Sequence, residues 1–192
     1  MTGPGVTGPG VTGPSRTVVL ALGSNLGDRL ATLQRGVAAL CGDGLDCRAV
    51  SAVFETAPVG GPDQGDYLNA VLLADSALPA ADILRRCQRA EATLHRVRTV
   101  RFGPRTLDVD IIACGAELSS DPELTLPHPR AHERAFVLAP WHDVAPWAVL
   151  PGRGSVAGLL AATPDLAGVR RLADATIALP AGQAEGADAR CR

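Results

Sequence analysis

Asp108 and Asp110 stand two apart in the stretch Arg101-Phe-Gly-Pro-Arg-Thr-Leu-Asp-Val-Asp-Ile-Ile112. Alternate residues of an extended strand share a face, so this spacing sets both carboxylates on one side and Leu107, Val109 and Ile111 on the other. Two anions this close repel each other. An oxygen-only pair is relieved best by a hard divalent cation such as Mg²⁺ or Mn²⁺, with phosphate and water completing the shell. The plain alternative is an edge strand carrying two solvated aspartates, and Arg105 in the Gly-Pro turn just upstream weighs against it. The run leading into the strand is strongly basic: Arg85, Arg86, Arg89, Arg96, Arg98, Arg101 and Arg105 stand against one acid, Glu91, a formal charge of +6 over 21 residues. Guanidinium forks grip phosphate oxygens in pairs and stay protonated near neutrality. Arg85 and Arg86 read as a solvated helix face. Arg96, Arg98, Arg101 and Arg105, in or beside the loop that feeds the carboxylate strand, suit a polyphosphate.

Two further groupings complete the set. His128 lies between Pro127 and Pro129, with Arg134 and Phe136 close behind, whereas His95, His132 and His142 read as structural. Tyr67 and Asn69 share one face of a short extended run; an aromatic ring beside a carboxamide suits a flat heterocycle, and ordinary edge-strand residues would look the same. Carboxylates, arginines and a ring site together point to metal-assisted transfer from a nucleoside triphosphate, where positioning and electrostatics supply most of the catalysis. No Walker A Gly-Lys-Ser/Thr and no kinase His-Arg-Asp signature is present, so the fold is not a standard nucleotide-binding one.

The elements that must position these residues follow from pattern. Thr17 to Leu22 is a β-branched run read as a buried strand. Ser24 or Asn25 is expected to cap a helix whose apolar residues Leu26, Leu30, Leu33, Val37 and Leu40 recur at helical spacing. Cys47 to Thr56 and Tyr67 to Ala74 read as strands, and Pro79 opens a helix running to about Arg96. Thr106 to Ala113 is the fourth clear strand. The order β-α-β-β-α-β predicts an α+β, ferredoxin-like sandwich: an antiparallel sheet with helices packed on one face. His132 to Val144 and Ser155 to Ala162 read as short helices of a C-terminal extension packed onto it.

Composition bounds the rest. A chain of 192 residues, 46% hydrophobic and 20% charged, is one globular domain with a core. Its formal charge of -2 argues against a nucleic-acid or membrane-surface partner, and 3% aromatics leave few stacking platforms for single strands. All 18 basic side chains are Arg. No apolar run is long enough to span a bilayer and no secretory signal precedes the domain, which points to the cytoplasm. Cys41, Cys47, Cys87, Cys114 and Cys191, odd in number and without ligand spacing, read as reduced thiols. Residues 1–15, a Thr-Gly-Pro-Gly-Val repeat, and 181–192 are expected to be disordered, leaving 16–180 as the folded domain.

The same motifs resemble a known family. Leu22-Gly-Ser-Asn-Leu26, Thr56-Ala-Pro-Val-Gly with Gln64 and Asp66-Tyr-Leu-Asn69, Glu91 with Arg96, the Arg101 to Asp110 stretch, and Leu126-Pro-His128 with Arg134-Ala-Phe136 are similar to the 6-hydroxymethyl-7,8-dihydropterin pyrophosphokinases of folate biosynthesis. The likeness covers about Thr17 to Leu150. It implies transfer of pyrophosphate from ATP to the hydroxymethyl oxygen of the pterin, releasing AMP. By that resemblance Asp108 and Asp110 hold two Mg²⁺ ions, and Arg96 and Arg105 contact the phosphates and steady the charge that builds in transfer. Gln88, Glu91, Arg98, Ile111, Thr125, His128 and Arg134 fall on the nucleotide side. Thr56, Ala57, Val59, Tyr67, Asn69, Phe102 and Phe136 fall on the pterin side, with Tyr67 and Phe136 sandwiching the ring. Phe102 stands where many members carry Trp, Thr99 where a Lys can stand, and Pro129 where a Tyr can follow the histidine. The resemblance also implies small-molecule substrates only and a monomer, with loops at Gly42 to Cys47, Ala57 to Asp66 and Arg96 to Pro104 closing over bound ATP.

Two other readings stay open from sequence. An RNA-binding ferredoxin-like module would show exposed aromatics on its central strands, where this chain offers carboxylates. A two-metal phosphohydrolase would release phosphate from ATP without pterin.

Overall fold

The computed structural model describes residues 13–58, 64–94 and 106–181. In chain order the elements are β1 (Arg16–Ser24), α1 (Arg29–Leu40), β2 (Asp46–Val50), β3 (Phe54–Thr56), β4 (Tyr67–Ser76), α2 (Ala80–Thr93), β5 (Asp108–Cys114), β6 (Ser119–Ser120) and β7 (Thr125–Leu126). A 3-10 turn (Ala131–Glu133) leads into α3 (Ala135–Val144), then β8 (Val149–Leu150), β9 (Gly154–Ser155), α4 (Val156–Ala162) and β10 (Val169–Arg171). The predicted repeat and tail fall largely outside the described residues.

β1 is central, paired antiparallel with β4 on one side and β5 on the other, and β2 and β3 follow one another along the far edge of β4. This is the strand order expected of the β-α-β-β-α-β arrangement, extended by β10 outside β3. The single strand expected from Cys47 to Thr56 is broken in two. Ser51 Oγ accepts the Val71 N–H at 2.9 Å, so a side chain replaces a ladder bond and the strand bends.

α1 and α2 lie on one face of the sheet, as the β-α-β-β-α-β order predicts, and the helices of the C-terminal extension, α3 and α4, cover the other. Val18, Leu20 and Leu22 of β1 and Leu68, Ala70 and Leu72 of β4 pack against Leu33, Val37 and Leu40 of α1 and Ile83 and Cys87 of α2. The alternate residues Val19, Val71 and Leu73 pack against Val137, Leu138 and Trp141 of α3 and Val156 of α4. Burial on both faces explains why β1 and β4 read as nearly unbroken apolar runs rather than alternating ones. The extension is therefore the third layer of the domain.

Other local expectations are also corrected. The cap of α1 is Asp28, whose carboxylate accepts the Ala31 N–H at 3.0 Å, because β1 runs on to Ser24 and Asn25 is spent on Gln64 and the Gly65 carbonyl. Arg86 is buried: its Nε donates to the Leu40 carbonyl at 2.6 Å and a terminal nitrogen to that of Cys41 at 3.1 Å. It thereby satisfies the open carbonyls at the end of α1 and ties α2 to it. Cys41 and Cys47 are joined in a disulfide across the turn closed by reciprocal Gly42 and Leu45 hydrogen bonds. The reduced-thiol reading of these two residues gives way to that closed turn. Cys87 and Cys114 are buried free thiols, pushed up to about 12 and about 11 chiefly by loss of solvent.

Candidate active site

The α3 layer leaves one end of the sheet uncovered, and there a cavity of about 530 Å³ opens over β1. Its floor is Ala21, Leu22 and Gly23. Ala21 lies opposite Asp110 on one side, and Gly23 lies between Asp108 and Asn69. Small residues on the central strand thus leave room between the side chains of its two neighbours. β4 and β5 stand two strand spacings, about 10 Å, apart, wide enough for a bicyclic ring and its substituent.

One wall is ionic. Asp108 and Asp110 share the cavity face of β5, while Leu107, Val109 and Ile111 are buried on the other. Glu91 of α2 lies beneath this strand, 5% exposed, and its Oε1 accepts the N–H of Val109 at 2.9 Å. That bond holds the peptide between the two aspartates. A bulge in the β1–β5 ladder leaves Ile112 out of register, and its carbonyl accepts the N–H of His128 at 2.9 Å. The histidine loop is thereby drawn onto β5 beside Asp110. His128 Nδ1 accepts the Arg130 N–H at 3.2 Å, which puts the imidazole proton on Nε2, 3.9 Å from Asp110 Oδ2. Burial pulls the His128 pKa below its ordinary value, opposed by Asp110 and assisted by Arg134. Arg134 reaches the same Asp110 oxygen at 3.5 Å and lies over the Phe136 ring at 5.4 Å. Arg130 and Glu133 complete this side.

The other wall is made of ring and amide groups. Tyr67 and Asn69 rise from β4, Thr56 and Ala57 from β3, and Phe136 from the first turn of α3. Asn69, 5% exposed, donates through Nδ2 to Thr56 Oγ1 at 2.9 Å, which fixes the carboxamide with Oδ1 as the remaining acceptor. Gln64 and Asp165 close the rim.

The structure therefore gathers Asp108, Asp110, His128, Arg134, Thr56, Ala57, Tyr67, Asn69 and Phe136 into one cavity. Gln88 is on the exposed side of α2, Ile111 sends its side chain into the core, and the Thr125 hydroxyl donates to the Asp121 carbonyl at 2.9 Å; none of these lines the cavity. Glu91 supports it from below. Arg96, Arg98, Arg105, Val59 and Phe102 lie outside the described residues. Ala21, Gly23, Arg130, Glu133 and Asp165 also line the cavity and were not among the expected site residues, although Gly23 falls within the Leu22 to Leu26 motif. Arg130 and Glu133 were legible in principle, from their positions beside His128 and Arg134. Asp165 comes from the third layer, and nothing local in the sequence marks it.

The residues present suit a hard cation. Two carboxylates on one strand face line the cavity, and among the described residues no group of three His, Cys, Asp or Glu side chains forms a complete cage. Such an oxygen-poor protein shell is the one Mg²⁺ accepts when substrate phosphates and water supply the remaining ligands.

Comparison with known proteins bears directly on this arrangement. A family model described as HPPK, 7,8-dihydro-6-hydroxymethylpterin-pyrophosphokinase, matches residues 19–146. A 2-amino-4-hydroxy-6-hydroxymethyldihydropteridine pyrophosphokinase of Mycobacterium bovis is 50% identical over 147 residues, covering 71% of this chain and 77% of the relative. One of the same name from Bacillus subtilis is 41% identical over 126 residues, covering 65% and 75%. Among solved structures, the Plasmodium falciparum HPPK-DHPS with pterin and p-hydroxybenzoate superposes with a TM-score of 0.59 at 13% identity. The match covers 77% of this chain but only 42% of that longer one, and it shows the fold.

Proposed function

The chain belongs to the 7,8-dihydro-6-hydroxymethylpterin-pyrophosphokinase family, and from that premise we propose how the two walls of its cavity divide the work. It is a diphosphotransferase of folate biosynthesis, acting on hydroxymethyldihydropterin with ATP as co-substrate. The finer assignment rests on one observation: the carboxylate pair of β5 and the Tyr67–Asn69 pair of β4 flank the same small-residue floor.

In this reading the ring lies between Tyr67 and Phe136, and Asn69 Oδ1 accepts from its N–H edge. The hydroxymethyl group then points across Gly23 toward Asp108 and Asp110. These aspartates would hold Mg²⁺, two ions by resemblance to the family, which when bound neutralises phosphate charge and makes the hydroxyl more acidic. His128 offers its Nε2 proton to a phosphate oxygen. Arg134, positioned by Phe136 and Asp110, offers its guanidinium to the charge that develops as the pyrophosphoryl group moves. Arg96 and Arg105 take the same part from the basic segment, with Arg98 beside them. Val59 and Phe102 are assigned to the ring side by their motif positions. The Glu91 hydrogen bond keeps the two aspartates in register without reaching the substrates.

No described helix is long and apolar enough to cross a membrane. The proposed setting is a cytoplasmic monomer, its catalytic domain spanning 16–180, with no nucleic-acid partner. An assay of AMP release tests the whole assignment: formation must depend on both Mg²⁺ and 6-hydroxymethyl-7,8-dihydropterin. Phosphate release from ATP without the pterin would favour a phosphohydrolase instead.

A further inference from the structure

The family match ends at residue 146, yet the chain continues through α4 and β10 and returns to the cavity from beyond the matched region. Asp165, on the turn that precedes β10, lines the cavity together with Thr56, Ala57 and Tyr67. The turn is held by built contacts. Val169, Arg170 and Arg171 pair with Thr56, Glu55 and Phe54, and the Leu172 N–H donates to the Val53 carbonyl at 2.9 Å. Arg170 forms an ion pair with one Glu55 oxygen, and Arg29 of α1 takes the other at 3.1 Å. Arg29 also donates to the Asp66 carbonyl at 2.7 Å, one residue before Tyr67. Farther on, Ile177 is buried in the core and Gln34 exchanges two hydrogen bonds of 2.8 Å with the Ala178 backbone. The chain that follows Asp165 is therefore a wall anchored to β3 and α1, continuous with the strands that carry Thr56 and Tyr67.

Within that wall the Asp165 carboxylate has no structural task. Its backbone carbonyl accepts the Gly168 N–H at 3.0 Å, but its side chain caps nothing, and among the described residues it has no ion-pair or hydrogen-bond partner. An ionised carboxylate only accepts hydrogen bonds. Placed on the ring side, it favours a heterocycle that presents N–H groups at its edge and disfavours one that presents lone pairs. We propose that Asp165 is a specificity-determining residue of the pterin half-site, accepting an N–H of the ring at the mouth of the cavity. The proposal deepens the assignment of that wall given above and rests on it.

Steady-state kinetics of the full chain test it. Asp165→Ala is expected to raise the KM for 6-hydroxymethyl-7,8-dihydropterin about tenfold, and Asp165→Asn, which keeps an acceptor oxygen, about threefold, the weight of one charged hydrogen bond at a partly wet rim. The KM for ATP and kcat should stay where they are. Unchanged pterin KM in both variants, or equal shifts for pterin and ATP, overturns the proposal. Asn69→Ala, measured alongside, separates the two layers of the argument. If that variant also leaves the pterin KM untouched, the assignment of the wall itself falls; if it alone raises the value, only the role of Asp165 falls.

Discussion

The two walls of the cavity are built in opposite ways. The ionic wall comes from one short stretch of chain: Asp108 and Asp110 on β5, then His128 and Arg134 on the loop that folds straight back onto it through the Ile112 carbonyl. The ring wall is gathered from β3, β4, α3 and the turn before β10, with Asp165 lying far along the chain from Thr56. A local wall concentrates charge, because neighbouring residues can be locked to one another by the strand's own geometry. A dispersed wall offers shape and hydrogen-bond direction, and its precision depends on every layer that contributes to it. The ionic wall should accordingly govern turnover and the ring wall should govern selection.

Substitutions at three residues test that division, the largest effect first. Asp110→Ala removes the carboxylate to which both His128 and Arg134 are directed, and is expected to lower kcat about a thousandfold or more, the loss of several kcal/mol of transition-state stabilisation. Its melting temperature should stay near that of the parent, because Asp110 is not part of either core. Near-parental AMP formation in this variant would remove the ionic wall's role altogether. Asn69→Ala is expected to raise the pterin KM roughly tenfold and leave the ATP KM alone, since a site built to bond an N–H discriminates through it. A fall in kcat with both KM values unchanged would show that the ring wall acts on the chemistry instead. Glu91→Gln should have the smallest effect: the amide keeps an acceptor for the Val109 N–H, so activity should fall only a few-fold. Glu91→Leu in the same series strands that buried N–H and should cost about 1–3 kcal/mol in denaturant unfolding. If the glutamine and leucine variants lose activity equally, the role of Glu91 is its charge rather than its acceptor.

The same contrast separates what could be read from the sequence. The Asp-x-Asp spacing, the apolar alternation around it and the His128–Arg134 motif are local patterns, and strand geometry carries them directly into the structure. The strand and helix order likewise follows from short-range periodicity, and so does the sheet it builds. Where the reading failed, a distant partner decided the outcome. Arg86 looks like one more exposed arginine until α1 ends beside it and its open carbonyls need donors. Ser51 lies within an alternating run, and only the Val71 N–H across the ladder shows why the strand breaks there. Cys41 and Cys47 carry no disulfide signature in their spacing; the tight turn between them brings them together.

The amino-acid sequence by itself determined the central strands, the helices that follow 3.6-residue periodicity, the carboxylate pair and the basic segment beside it, because each depends on residues within a few positions of one another. Tertiary structure alone decided that the extension covers the second sheet face and stops short of its end, that Ala21 and Gly23 become a floor, and that Asp165 arrives at its rim. Those outcomes depend on which surfaces are buried against which, and burial is a property of the packed chain rather than of any segment.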